Sequence, residues 1–278
     1  MCSSIPRRSA RRWTHLSRLR LLQLDLPIRS FLSALSTIIA LTAPFTARAN
    51  AYDVVPVQNG GQLTIQVIHA GKPVVVTEAV DRDQTFCGTE IKEQTVKLGS
   101  AGQLADAVVY LADIARGKAP DTTAVARLDN RGCQFVPRIQ AVTVGQTIQI
   151  VNSDPILHST HAKDGNRTVF NLALPTEGQT IPKKIRAPGL MHVRCDAGHT
   201  WMNAWIDAFP HPYHAVTDQD GQATLTAIPP GTYQVAVWHE TLGKEAKTVT
   251  IKAGETASVR FDHLAAAPDT TTPQGTSR

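Results

Sequence analysis

The chain has 278 residues, 42% of them hydrophobic and 18% charged, which excludes a disordered polymer and leaves room for one large or two modest domains whose cores need no staples. The formal charge of +5 and pI near 9.1 would suggest a nucleic-acid partner, but eight of the 28 basic residues (Arg7, Arg8, Arg11, Arg12, Arg18, Arg20, Arg29 and Arg48) and only Asp25 of the 23 acidic ones lie in residues 1–49. The remainder carries 20 basic against 22 acidic residues, so the charge argument for nucleic acid disappears.

Residues 1–49 read as an export signal. An Arg-rich segment precedes an apolar run from Phe31 through Ile38 and Ile39 to Ala43, and Ala47-Arg48-Ala49 or Ala49-Asn50-Ala51 supplies the small residues of a cleavage site. The apolar run is short of the roughly 20 residues a spanning helix needs, which argues against an anchor. Arg11-Arg12 is followed by residues that fit a twin-arginine signal poorly. The expected mature chain lies in the periplasm with no integral membrane segment after processing. Cys2 leaves with the leader, so Cys87, Cys133 and Cys195 remain. An odd number in an oxidising compartment is most simply read as a Cys87–Cys133 disulfide with Cys195 given another role, the alternative being three buried thiols.

Beyond the leader the pattern is β. Gln62–His69 alternates Leu63, Ile65 and Val67 with polar neighbours, the period-two mark of a half-buried strand. Gly71-Lys72-Pro73 is a turn and Val74-Val75-Val76 begins another strand; Asp106–Ile114 reads as strand by Val108-Val109-Tyr110, with a short helix, favoured by its Ala content, as the alternative. Ile139, Val142 and Val144 form a strand that ends at Gly145, and Thr147–Val151 forms the next. Met191–Cys195 and Ala204–Phe209 follow. Short strands punctuated by Gly and Pro turns argue a β-sandwich. In the last part, Thr217-Asp218-Gln219-Asp220-Gly221 and Pro229-Pro230-Gly231-Thr232-Tyr233 are turns between strands at Ala223–Ile228, Gln234–His239, Thr248–Ile251 and Ser258–Phe261. The Ala-, Thr- and Pro-rich residues 264–278 read as a disordered tail.

One constellation carries chemistry. His158 follows directly on a strand and the stretch Asn152-Ser153-Asp154-Pro155; Cys195, His199 and Met202 form a C-x3-H-x2-M segment at a later strand end. A thiolate, two imidazoles and a long thioether contact suit both Cu(I) and Cu(II), because a trigonal soft-donor array serves either state with little rearrangement. Zinc accepts Cys and His as well, but seldom Met, so Met202 argues for one mononuclear copper ion. Lesser clusters, His211, His214 and His239-Glu240, read as turn and strand-end features, the alternatives being a second metal site or a partner surface. Trp201, Trp205 and Trp238 read as packing. Asp218 and Asp220 lie in a stretch too short for an EF-hand loop.

The His158-Ser159-Thr160-His161 pair and the Cys195–Met202 segment resemble the cupredoxins, plastocyanin, azurin and most closely amicyanin. Together with Asn152-Ser153-Asp154-Pro155, His211-Pro212-Tyr213 and Trp238-His239-Glu240, they resemble periplasmic proteins of the methylamine-utilisation type, over about Cys87 to Gly243. The Cys-to-His gap is one residue longer than in amicyanin, and Ser159 stands where many relatives have an Asn that braces the ligand loop. The resemblance implies ligands His158, Cys195, His199 and Met202, with His161 as substitute, His192 behind it, and Asn152 and Ser159 in support. The two C-terminal turns resemble the carboxypeptidase regulatory-like, or transthyretin-like, small β-sandwich. That match covers roughly fifty residues, which leaves room for strands from elsewhere in the chain.

The expected fold is therefore all-β: a cupredoxin-like Greek-key β-sandwich over 50–208, then a small transthyretin-like β-sandwich over 209–263. The cupredoxin resemblance implies a non-enzymatic electron carrier between redox protein partners in the periplasm, with the exposed edge of His199 as the exit. Copper delivery or storage, and a non-redox accessory role in the envelope, are the alternatives. A four-ligand site leaves no open position for a substrate, which argues against an enzyme.

Overall fold

The computed structural model describes residues 52–262 and Leu264. The expected leader, and the tail from residue 265, lie outside the described residues. The chain is nearly all β, with one short helix at Gln84–Cys87 among the described residues. No helix among them is long and apolar enough to cross a membrane.

Two β-sandwiches account for most of the strands. In the first, a four-stranded sheet runs in the order Thr180–Lys184, Thr147–Asn152, Val125–Arg131, Gln134–Val136. A five-stranded sheet runs Arg167–Leu174, His158–Asp164, Gly189–Arg194, Asn203–Phe209, Ile139–Thr143. Each sheet contains one parallel pair, Thr147–Asn152 with Val125–Arg131 and Asn203–Phe209 with Ile139–Thr143. Inward residues such as Leu128, Ile148, Ile150, Phe170 and Val193 interlock between the sheets. Each fully buried aliphatic side chain contributes about 2 kcal/mol.

The second sandwich combines both ends of the described chain. Gln222–Ile228, Gly61–Val67 and Thr256–Phe261 form one sheet. His214–Val216, Val108–Leu111, Gly231–His239 and Gly243–Ile251 form the other. The alternation read at Gln62–His69 is real: Leu63, Ile65 and Val67 are buried while their neighbours are half-exposed. Their partners, however, are Leu225, Ile228, Val235 and Phe261. This corrects the division into 50–208 and 209–263. Gly61–Val67 pairs antiparallel with Gln222–Ile228 and parallel with Thr256–Phe261, and Val108–Leu111 sits between His214–Val216 and Gly231–His239. The first sandwich is inserted into the second. The physical reason is coverage: the apolar faces of the C-terminal strands need more sheet than that segment contains, and the strands before residue 112 supply it.

The turn motifs behave as their chemistry dictates. Asp218 Oδ1 accepts the Asp220 and Gln222 backbone N–H groups, an Asx turn that closes on Gly221 at positive φ. Tyr233 donates its hydroxyl hydrogen to the Pro229 carbonyl.

Between the two sandwich contributions of the N-terminal part, the chain makes a hairpin arm. Val74–Ala79 pairs with Glu90–Val96, and the Gln84–Cys87 helix lies in the connection. The outer strand is almost wholly exposed. The arm is anchored at two places. Arg138 binds Glu93 on the arm at 2.7 Å and also Glu240 at the end of Gly231–His239, and Cys87 is bonded to Cys133.

Candidate metal centre

The Thr147–Asn152 strand ends at Asn152, whose side chain holds the next loop in place. Its Nδ2 donates to the Ile156 and Leu174 carbonyls at 2.9 Å each, and its Oδ1 accepts the Asp154 N–H. The loop thus turns tightly and delivers His158 as the first residue of the His158–Asp164 strand, pointing into the sandwich. On the neighbouring strand, Gly189–Arg194 ends one residue before Cys195. The chain then turns through Gly198 at φ 99 and closes with the Met202 N–H on the His199 carbonyl. That short loop carries Cys195, His199 and Met202 on ends pinned by hydrogen-bonded strands.

Ser159 ties the two segments together. Its N–H points at Cys195 Sγ at 3.3 Å, and its Oγ accepts the Asp196 N–H at 2.7 Å. These two contacts join the His158 strand to the Cys195 loop. Trp201 closes the floor by donating Nε1–H to the Cys133 carbonyl, with its ring 5.2 Å from that of His199.

Three donor atoms converge. His158 Nδ1 and His199 Nδ1 lie 3.0 Å apart, and Cys195 Sγ lies 3.9 Å and 3.6 Å from them. A point equidistant from all three lies about 2 Å from each, the length of a metal–imidazole bond and slightly short of a metal–thiolate bond. Both histidines and Met202 are fully buried or nearly so, and Cys195 is 5% exposed. Met202 belongs to the same buried cluster as Cys195 and Trp201.

The far side of each ring fixes its tautomer. His158 Nε2 meets Asp154 Oδ2 at 2.9 Å, and His199 Nε2 meets Asp83 Oδ2 at 2.7 Å. An Nε2–H given to a carboxylate leaves the Nδ1 lone pair facing inward, the carboxylate–histidine arrangement that supports metal ligands. Burial pushes the His158 pKa down, the Asp154 hydrogen bond opposes this, and the His199 ring adds to the lowering. Two inward lone pairs at 3.0 Å repel unless a cation or proton lies between them. The donor set therefore fits a metal ion, and its mix of one soft sulfur and two imidazole nitrogens suits copper.

The other expected residues fall elsewhere. His161 is three residues along the strand from His158, and side chains three apart point to opposite faces. Its ring nitrogens engage Asp196 Oδ2 at 2.6 Å and Thr168 Oγ1 at 2.9 Å, away from the donor cluster. His192 is stacked on Trp205 and bonded to Asn203. His211, His214 and His239 belong to the other sandwich and its junction with the first. The expectation that His199 offers an exposed edge is corrected: the ring is fully buried beneath Asp83.

Asp154 and Asp83 are the functional residues that sequence reasoning missed. Asp154 lies in the Asn152–Pro155 stretch, four residues before His158, where a loop return is a usable signal. Asp83 is remote in sequence and carries none. Asp154 also accepts the Gly132 and Cys133 N–H groups, at 2.7 and 2.9 Å.

Comparisons with known proteins are partial. Residues 196–259 match the family model described as Polysaccharide lyase family 4, domain II, which is not the regulatory-like domain that the turn motifs suggest. No curated protein matches the chain. Among solved structures, similarity is found to amicyanin from Paracoccus versutus, at 15% identity and TM-score 0.28 over 33% of this chain and 85% of that one. A purple cupredoxin from Nitrosopumilus maritimus is similar at 19% identity and TM-score 0.27, over 30% of this chain and 99% of that one. A copper-containing nitrite reductase from Thermus scotoductus is similar at 19% identity and TM-score 0.27, over 36% of this chain; the match spans about a quarter of the reductase, 24% of its length.

Proposed function

We propose that the chain is a mononuclear copper protein that carries single electrons, with copper held by His158, Cys195, His199 and Met202. The observation that carries this reading is the convergence of His158 Nδ1, His199 Nδ1 and Cys195 Sγ on one buried point. Copper would supply a one-electron couple there. The protein's own part is to hold the donors fixed. Asp154 and Asp83 orient the rings, Ser159 fixes the thiolate, and Trp201 excludes water from the floor. A donor cage already built by the sheets needs little movement between oxidation states, which favours rapid transfer.

No substrate position is left open when four residues bind one ion, so the reading is of a carrier and not an enzyme. The periplasm is the proposed compartment, by the leader-like residues 1–49 and the Cys87–Cys133 disulfide. A redox protein is the proposed partner. It would seat over Asp83, whose side chain is 40% exposed and lies one hydrogen bond from His199.

Copper delivery or storage is a second reading, favoured by the burial of His199. Potentiometric titration of the copper-loaded protein separates the two. A carrier shows one reversible single-electron wave with the metal retained in both states. Loss of copper on reduction would sink the carrier reading and leave delivery.

A further inference from the structure

The donor cluster is closed by a segment that belongs to neither sheet of its own sandwich. Residues Val80–Gly88 connect the two strands of the hairpin arm. They lie against the ligand loop at several points. Asp83 takes His199 Nε2, and Arg82 Nη1 donates to the Ala197 carbonyl at 3.3 Å. Gly198 is packed so closely beneath Arg82 that an added Cβ would come within 2.7 Å of its Nε. Val80 and Cys87 enter the first sandwich's core.

Asp83 itself is held in an unusual role. It precedes the Gln84–Cys87 helix at the position where an Asp carboxylate ordinarily accepts backbone N–H groups, yet it makes no such cap. Its backbone sits at φ 52, ψ 34, a left-handed conformation that Asp tolerates better than most residues. The Phe86 and Cys87 N–H groups bond its carbonyl instead, and the carboxylate is free to reach His199. A local stabilising interaction has been given up for one with a ligand.

The disulfide places the same segment behind the other histidine. Cys133 Sγ, an Asp154 carboxylate oxygen and a His158 ring nitrogen lie within 4.8 Å of one another. The tip of the arm therefore touches the support of both ligand rings, through Asp83 on one side and Cys87–Cys133 on the other. An exposed two-stranded ribbon is of marginal stability on its own, so the tip contacts, together with the Arg138–Glu93 pair on the strand, decide where it sits.

We propose that Val80–Gly88 is a cap that governs metal exchange at this site, with Asp83 as its latch and Cys87–Cys133 as its tether. With the cap down, His199 and Cys195 are shielded and metal is retained. Displacement of the cap uncovers the His199 edge of the donor set and opens the path for entry and release. This rests on the copper reading above for the identity of the metal, but not for the closure.

The test has a metal-free arm and a metal arm. In the metal-free protein, alkylation of Cys195 by iodoacetamide is followed by peptide mass spectrometry in the wild type, Asp83→Ala, Asp83→Asn and a Cys87→Ser/Cys133→Ser double variant. Denaturant midpoints are recorded alongside, so that global unfolding is separated from cap opening. The expected result is at least tenfold faster alkylation in Asp83→Ala at an unchanged midpoint. Asp83→Asn, which keeps an acceptor for the ring N–H, should retain most of the protection. Equal rates in the wild type and Asp83→Ala would overturn the cap, whether or not the double variant folds. In the metal arm, transfer of Cu(I) from the loaded protein to bathocuproine disulfonate should quicken by tenfold or more in Asp83→Ala, and equal transfer rates would likewise overturn it. A wild type that takes up no stoichiometric copper would defeat the metal reading alone, since the alkylation arm still decides the cap.

Discussion

Asp154 is the residue whose loss should be felt in both folding and metal binding. It is 2% exposed and serves three donors: the Gly132 N–H at 2.7 Å, the Cys133 N–H at 2.9 Å and His158 Nε2 at 2.9 Å. Asp154→Ala strands all three. A buried donor without a partner costs about 1–3 kcal/mol. The ring can escape by moving its proton to Nδ1, so two stranded backbone groups set the lower part of the range. The expected loss is about 3–5 kcal/mol in the metal-free protein, a large share of an ordinary domain's stability. The escape has a second consequence: a proton on Nδ1 occupies the lone pair that binds metal. Copper affinity should therefore fall about 10- to 100-fold as well, the usual cost of losing a carboxylate behind a ligand histidine. Asp154→Asn keeps one acceptor oxygen and should fall between. Urea denaturation of the metal-free variants, with competition for Cu(I) against a chelator, measures both quantities. A destabilisation under about 1 kcal/mol together with unchanged affinity would refute the reasoning that these hydrogen bonds hold the site.

Two further outcomes follow from groups outside the site. Burial pushes His211, His214 and His239 down to about 4, so the unfolded chain, with histidines near 6.5, takes up protons first on acidification and the metal-free protein should lose stability between pH 6.5 and 4. Asp207, pushed up to about 6 by burial, works the other way by losing stability as pH rises from about 4 to 6; three rings worth at most about 3 kcal/mol each outweigh it, and a denaturant midpoint that is flat or higher at pH 4.5 than at pH 7 would contradict this. Arg138→Met leaves Glu93 and Glu240 without their shared cation and should cost about 3 kcal/mol by chemical denaturation; a cost within 0.5 kcal/mol, the scale of an ordinary surface change, would show that this ion cluster does not anchor the arm.

The local parts of the account were legible in the sequence. Cys195, His199 and Met202 lie within eight consecutive residues of one loop, and their types and spacing announce a soft-metal site before any fold is known. Strand alternation at Leu63, Ile65 and Val67 was equally plain, because a strand's two faces show in its own residues. What alternation cannot show is the partner. Gly61–Val67 pairs with Thr256–Phe261 across nearly the whole described chain, and nothing within either strand names the other. The domain division failed for that reason. His161 was a candidate through the His-x-x-His resemblance. Parity along the strand, once His158–Asp164 is known to be extended, puts it on the opposite face. Asp83 was illegible because a single exposed carboxylate in a loop looks like any other; only its placement over His199 gives it meaning.

The central claim is a copper ion bound through Cys195. The direct measurement is copper titration of the purified protein, followed by visible absorption and electron paramagnetic resonance, with Cys195→Ser beside it. One copper per chain is expected, with an intense thiolate-to-Cu(II) band that vanishes in the variant. Absence of stoichiometric copper, or a band indifferent to Cys195→Ser, would contradict it.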